Sequence, residues 1–211
     1  MGNGLLDAAW NAWVGELDRP NELLGYLHAL YGLGAAVSPL VASTMIDKSG
    51  LAWFEFYYIP LALCSLELIT GVGAFWRENG AEFVRKNTVE GSTNAGRTRA
   101  ALKLRTTWTI AIFLLIYVGA EVSLSGWVVT FMIRERGAEP FPSAMTATGF
   151  WLGVTVGRLV LGFVTARFGE RWTIVAYLLI GMGLQLIFWL VPKFIVSAVA
   201  VALLGFVLGP M

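Results

Sequence analysis

Two small sets of side chains in this 211-residue chain have the types and spacing to handle a hydroxylated solute. Tyr117, Glu121 and Ser125 follow one another at intervals of four residues, with Trp127 close by. Asp7 and Asn11 are likewise four apart, with Trp10 between them. On a helix, positions i and i+4 share a face. Carboxylates and amides hydrogen-bond hydroxyl groups, and an indole face offers an apolar platform for a sugar-like ring. A carboxylic acid also takes up and releases protons, which makes Glu121 and Asp7 the candidates for proton coupling.

The surroundings of Glu121 sharpen that reading. It is the only charge in Trp108 to Ile133 (WTIAIFLLIYVGAEVSLSGWVVTFMI), a stretch longer than the ~20 apolar residues that a spanning helix needs. An ionisable group at the centre of a bilayer costs about 2.5–3.5 kcal/mol on insertion scales, so such residues face a bundle interior or a wet cavity. Glu121 is therefore expected to point into a solute pathway.

Composition places the whole chain in the same solvent. It is 57% hydrophobic and only 14% charged, with a mean hydropathy of +0.69, against ~25% charged residues in a soluble domain. The fold class expected is all-α, a polytopic membrane helical bundle. One cysteine, Cys64, rules out an intrachain disulfide, and one histidine, His28, leaves no Cys/His ligand cluster. Nothing calls for a metal, a cofactor or a nucleic-acid partner, and the net charge of +1 points to no particular macromolecule. The expected partners are a small solute and the lipid bilayer.

Apolar runs set the elements: Gly2 to Gly15, Leu23 to Ile46, Trp53 to Trp76, Trp108 to Ile133, Met145 to Ala166, Trp172 to Val191, and Phe194 to the end. That makes about seven membrane segments, helical because their length exceeds any strand and no period-two alternation is present. The first run reaches only about 21 Å, and the last stops within apolar sequence, so both ends read as cut. Pro20 suits a turn or a first helical position. Residues 77–106 form a polar linker with seven basic residues and a Gly/Ser/Thr/Asn-rich centre (EGSTNAG) that reads as flexible. RERGAEPFPSA reads as a loop. Glycine pairs at Gly32/Gly34 and Gly181/Gly183 suggest close helix contacts, and Pro39 a kinked packing helix.

Lys and Arg outside the spans divide ten against four. The ten-charge side, which carries Arg19, the linker, Arg167 and Arg171, is the expected cytoplasmic side. Arg158 and Glu67 lie within spans and read as structural charges. His28 reads as a packed or hydrogen-bonded histidine near the interface, and Gln185 fits either a helix contact or a cavity. Trp53, Trp76, Trp108 and Trp172 sit at span ends as interfacial anchors.

At Leu161 to Arg171 the sequence LGFVTARFGER resembles the G-x-x-x-D-R-x-G-x-R loop signature of the major facilitator superfamily. Gly162, Arg167, Gly169 and Arg171 match, which implies a cytoplasmic gate motif; Ala166 stands where the family carries Asp. The runs GNGLLDAAWNAW, LLGYLHALYGLGAAVSPL, YVGAEVSLSGWVVTFM, TGFWLGVTVGRLVLGFVTARFGER and LLGFVLGP resemble fungal members related to the fucose permease and sodium-dependent glucose transporter-like branch. The resemblance implies a partial fold covering helices four to ten of twelve. Residues 1–76 would supply helices four to six, 77–106 the central cytoplasmic loop, and 107–211 helices seven to ten, the last truncated.

On that template helices four, seven and ten line the cavity, so Asp7, Trp10, Asn11, Tyr117, Glu121, Ser125 and Trp127 become the implied substrate-binding set. Asp7 lies about 18 Å from Arg19 and Glu121 about 20 Å from Trp108, which gives them similar depth. The implied function is transport of a small polar, sugar-like solute, possible as proton symport, with the plasma membrane as the family's usual location. Rocking of two halves about a midplane site needs both halves, so a fragment alone is not expected to transport. The alternative is a non-transporting membrane fragment from a split or truncated gene. A membrane-embedded enzyme ranks last, since no Ser/His pair or metal-ligand set accompanies the acids.

Overall fold

The computed structural model describes residues 2–77, 80 and 94–210, and every regular element among them is helical. The helices are α1 (Gly2–Val14), α2 (Pro20–Ser43), α3 (Tyr58–Phe75), α4 (Asn94–Lys103), α5 (Arg105–Arg136), α6 (Pro140–Phe168), α7 (Glu170–Leu190) and α8 (Phe194–Leu208). Five helical segments are long and apolar enough to cross a membrane: Glu22–Lys48, Trp53–Phe75, Arg105–Arg136, Pro140–Phe168 and Glu170–Leu190. The last helix is equally apolar but shorter. An all-α membrane bundle is thus observed, with the shorter end helices α1 and α8 completing the seven expected runs.

Several boundaries differ from the sequence expectation, each for a local reason. Pro20 occupies the first helical turn of α2, where its missing N–H costs nothing. A π-helical turn, Thr44–Lys48, follows α2, and a 3-10 turn, Trp53–Tyr57, precedes α3. RERGAEPFPSA is mostly helix: α5 runs through Arg136, and α6 starts at Pro140, leaving only 137–139 as connection. Glu139 is extended, as a residue before proline must be, and Gly137 takes a φ of 62°. The linker ends in the helix α4; residues 90–93 of its Gly/Ser-rich centre lie outside the described residues.

The chain forms two units: residues 51–124, and residues 1–50 together with 125–211. In the first of these, α3 buries no residue on any side, the pattern of an apolar helix presented to lipid. Its hydroxyls are satisfied internally, Ser65 Oγ donating to Leu61 O at 2.8 Å and Thr70 Oγ1 to Leu66 O at 2.8 Å. Trp108 Nε1 donates to Leu102 O at 2.9 Å, tying the start of α5 to the end of α4.

The other unit is built around α6, which packs against both α8 and α2, while α7 packs against α8. Phe150, Val154, Val201 and Leu204 form the buried centre. The α6–α8 contact is made by backbone. A Cβ on Gly153 or Gly157 would overlap the main chain of Ala202 or Phe206, and one on Gly205 or Gly209 would overlap that of Phe150, Val154 or Arg158. Such close approach is how helices associate in lipid, where water supplies no hydrophobic drive between them. Of the glycine pairs singled out in the sequence, Gly32 meets Thr155 and Gly181 meets Leu204, while Gly34 and Gly183 face open space.

Gly157→Leu is accordingly expected to lower stability by about 1–3 kcal/mol through overpacking. Gly183→Ala should be neutral or stabilising by up to about 1 kcal/mol. Thermal unfolding in detergent, followed by circular dichroism, separates them; equal losses would contradict the backbone contact.

Candidate functional site

Helix α5 carries the first candidate set on one continuous rod of 32 residues. Tyr117 and Glu121 are both buried, Glu121 being only 5% exposed although it carries the one carboxylate in the middle of the helix. Val128 and Met132 continue the buried positions further along. Tyr117 lies parallel to Phe113, with ring centroids 6.3 Å apart. Ser125 is half-buried. Trp127 is 68% exposed, because it falls about 110° around the helix from the buried stripe. The structure therefore aligns Tyr117 and Glu121 on one stripe, with Ser125 at its margin, and leaves Trp127 off it.

The second set sits on α1. Asn11 Nδ2 donates to Asp7 O at 2.9 Å and to Asp7 Oδ1 at 3.2 Å, so the amide and acid form the pair that their spacing suggested. Asp7 is exposed and Asn11 half-buried. Trp10 is half-buried and meets Trp13 edge to face at 5.9 Å.

Arg158 joins three helices. From α6 its Nε donates to Gly209 O at 3.3 Å and its Nη1 to His28 O at 3.5 Å. One cation thus serves the Gly209 carbonyl at the C-terminal end of α8, where the helix dipole favours positive charge, and a main-chain carbonyl of α2. The half-buried His28 lies on that seam, as do the edge-to-face pair Tyr31 and Trp151 at 6.1 Å. Glu67 and Gln185 are exposed.

Two polar residues emerge that pattern reading passed over. Arg136, counted only as a loop charge, donates through Nη2 to Phe188 O (2.9 Å) and Trp189 O (2.8 Å), and through Nε to Ser197 Oγ (3.1 Å). Its guanidinium also lies 4.7 Å from the Phe131 ring centroid. It caps the last turn of α7 and holds the start of α8; the available signal was its place two residues after Arg134 at an apolar helix end. Thr148 Oγ1 is buried with no hydrogen-bond partner among the described residues. A buried polar atom of that kind is uncommon.

Across its full length, residues 1–211, the chain matches the sequence profile of the Major Facilitator Superfamily. It belongs to that superfamily of membrane transporters. Among curated relatives it is 30% identical over 190 residues to Bypass of stop codon protein 6 of Saccharomyces cerevisiae, covering 81% of this chain and 38% of the relative. It is 25% identical over 171 residues to the Glucose/mannose transporter GlcP of Bacillus subtilis, covering 79% of this chain and 41% of the relative. The chain thus spans about two fifths of the length of these relatives. No solved structure gives a significant match.

Within this superfamily member the signature residues form the junction of α6 and α7. Gly169 is the single residue between the helices, and its φ of 87° is a conformation that glycine adopts at no steric cost. Its N–H donates to Thr165 O at 2.9 Å, and its carbonyl accepts Thr173 Oγ1 at 2.8 Å. Thr165 and Tyr177 hydroxyls meet at 3.3 Å across the turn. Gly162, Arg167 and Arg171 are exposed.

Arg136→Gln should destabilise the protein by about 1.5–3 kcal/mol, the range for hydrogen bonds to a charged group. Arg134→Gln, at an exposed neighbour, should stay within about 0.5 kcal/mol. Unfolding in detergent micelles measures both, and an equal effect would remove the capping role from Arg136.

Proposed function

We propose that the protein takes part in transmembrane movement of a small polar, sugar-like solute, coupled to protons, with Glu121 as the proton-carrying group. The carrying observation is a carboxylate 5% exposed at the centre of an apolar helix, in a chain of a transporter superfamily. Ionisable groups within membrane segments mark solute and proton pathways, although pairing with a buried donor is the plainer role for such an acid. Tyr117 and Ser125, on or beside the same stripe, supply hydroxyl partners, and the Asp7–Asn11 pair with Trp10 supplies a second polar set. Trp127, off that stripe and 68% exposed, is left outside the proposed set. The sugar-like class is supported by this chemistry and by the distant likeness to a transporter named for glucose and mannose.

In this reading residues 1–76 and 107–211 belong to the two halves of a rocking transporter, joined by the cytoplasmic segment 77–106, in a plasma membrane. Gly162, Arg167, Gly169 and Arg171 form the cytoplasmic gate turn. A non-transporting membrane role is the second reading.

Since rocking needs both halves, the test is hexose and polyol uptake by a transport-deficient host expressing the whole open reading frame that encodes these residues. Accumulation driven by an inward proton gradient is expected, and Glu121→Gln should abolish accumulation while leaving solute counterflow. Unchanged, pH-dependent accumulation by Glu121→Gln would contradict proton carriage at that site; no uptake of any solute would favour the second reading.

A further inference from the structure

Where α6 and α8 approach their N-terminal ends, their glycine contact gives way to a crevice of about 450 Å³. Phe141, Met145 and Gly149 line it from α6, and Phe194, Ala198 and Ala202 from α8. That volume lies within the ~300–1,000 Å³ of small-molecule sites. The wall is almost wholly carbon, and the one hydroxyl on it, Thr146 Oγ1, is spent on Pro142 O at 3.2 Å. A sugar would find no partners here. A hydrocarbon chain would.

The mouth has the opposite character. Lys48 places Nζ 4.3 Å from the centroid of the Phe141 ring, so an ammonium sits over an aromatic wall of the crevice. Lys193, the residue before Phe194, is exposed at the start of α8. Asp47, next to Lys48, turns its Oδ2 to Ser43 Oγ at 3.0 Å. Glu139, just before α6, is an exposed carboxylate at the same helix end. Two cations beside a greasy slot suit a molecule with an apolar tail and an anionic head. Purely apolar ligands leave the lysines unused, and water-soluble anions leave the slot unused.

We propose that this crevice binds a membrane glycerophospholipid, one acyl chain lying between α6 and α8 and the phosphate meeting Lys48 and Lys193. The site is independent of the transport reading. Its occupant comes from the solvent in which these helices sit. Lys48 and Lys193 lie on the four-charge side, so the head they meet is the phosphate that glycerophospholipids of either leaflet carry. Lys48 over Phe141 ties that head to the slot.

The test is native mass spectrometry of the 211-residue chain released from detergent micelles titrated with phosphatidylglycerol. One retained lipid is expected. Lys48→Gln should weaken retention about fivefold, as should Lys193→Gln, the effect of removing one basic residue beside an anionic surface. Glu139→Gln should strengthen it. Ala198→Phe, which fills the slot, should abolish it while circular dichroism shows retained helix. If Ala198→Phe fails to fold, the surface lysine variants still decide. Equal retention by all variants, as loosely associated lipid would give, overturns the proposal. So does a dimer that Ala198→Phe dissociates, since a second copy would then be the occupant.

Discussion

A bilayer offers polar groups no partner, and this constraint shapes the long apolar helices among the described residues. Unsatisfied backbone groups in hydrocarbon cost several kcal/mol each, which leaves continuous helix as the form for the long apolar runs. Hydroxyls in the exposed α3 bond back to their own helix. At helix ends the same constraint recruits cations: Arg136 takes up the terminal carbonyls of α7, and Arg158 reaches the Gly209 carbonyl at the end of α8. Both place positive charge where the helix dipole is negative.

With polar demands met locally, association falls to close packing. The α6–α8 contact is the tightest example, with glycines on both helices admitting the partner's main chain. It fixes one edge of a unit to which α2 is attached through Gly32 against Thr155 and through Arg158. The same geometry opens the crevice near Phe141 and Phe194, because the glycine register runs out before the helices end. Tight contact and apolar slot are thus two stretches of one interface.

Span positions were legible in the sequence because hydropathy over about 20 residues is an averaged property that one or two residues do not alter. The Asp7–Asn11 pair was legible for a similar reason: helical spacing alone brings i and i+4 together. Partner-dependent features were not. Among 24 glycines, Gly153 and Gly157 are distinguished from Gly183 only by the helix lying against them. Arg136 looked like a loop charge because its acceptors lie more than 50 residues away. The start of α6 was placed late since Pro140 and Pro142 suggest a loop, yet prolines in a first turn forfeit nothing. Trp127 was grouped with Glu121 by nearness in sequence, whereas angle around the helix sets it apart.

The Asp-less signature turn illustrates how much of a motif is backbone. Gly169 and its bonds to Thr165 and Thr173 build the α6–α7 junction without any carboxylate at position 166. The proposed function rests on a different carboxylate, Glu121, and requires that water reach it. Single-cysteine accessibility along α5 tests that directly, in a background where the one native cysteine, Cys64, is replaced by serine. A charged, membrane-impermeant thiol reagent should label cysteines at positions 121 and 125 and spare those at 115 and 116, whose native side chains are exposed and apolar. Labelling at 115 and 116 with none at 121 and 125 would contradict a hydrated path beside Glu121.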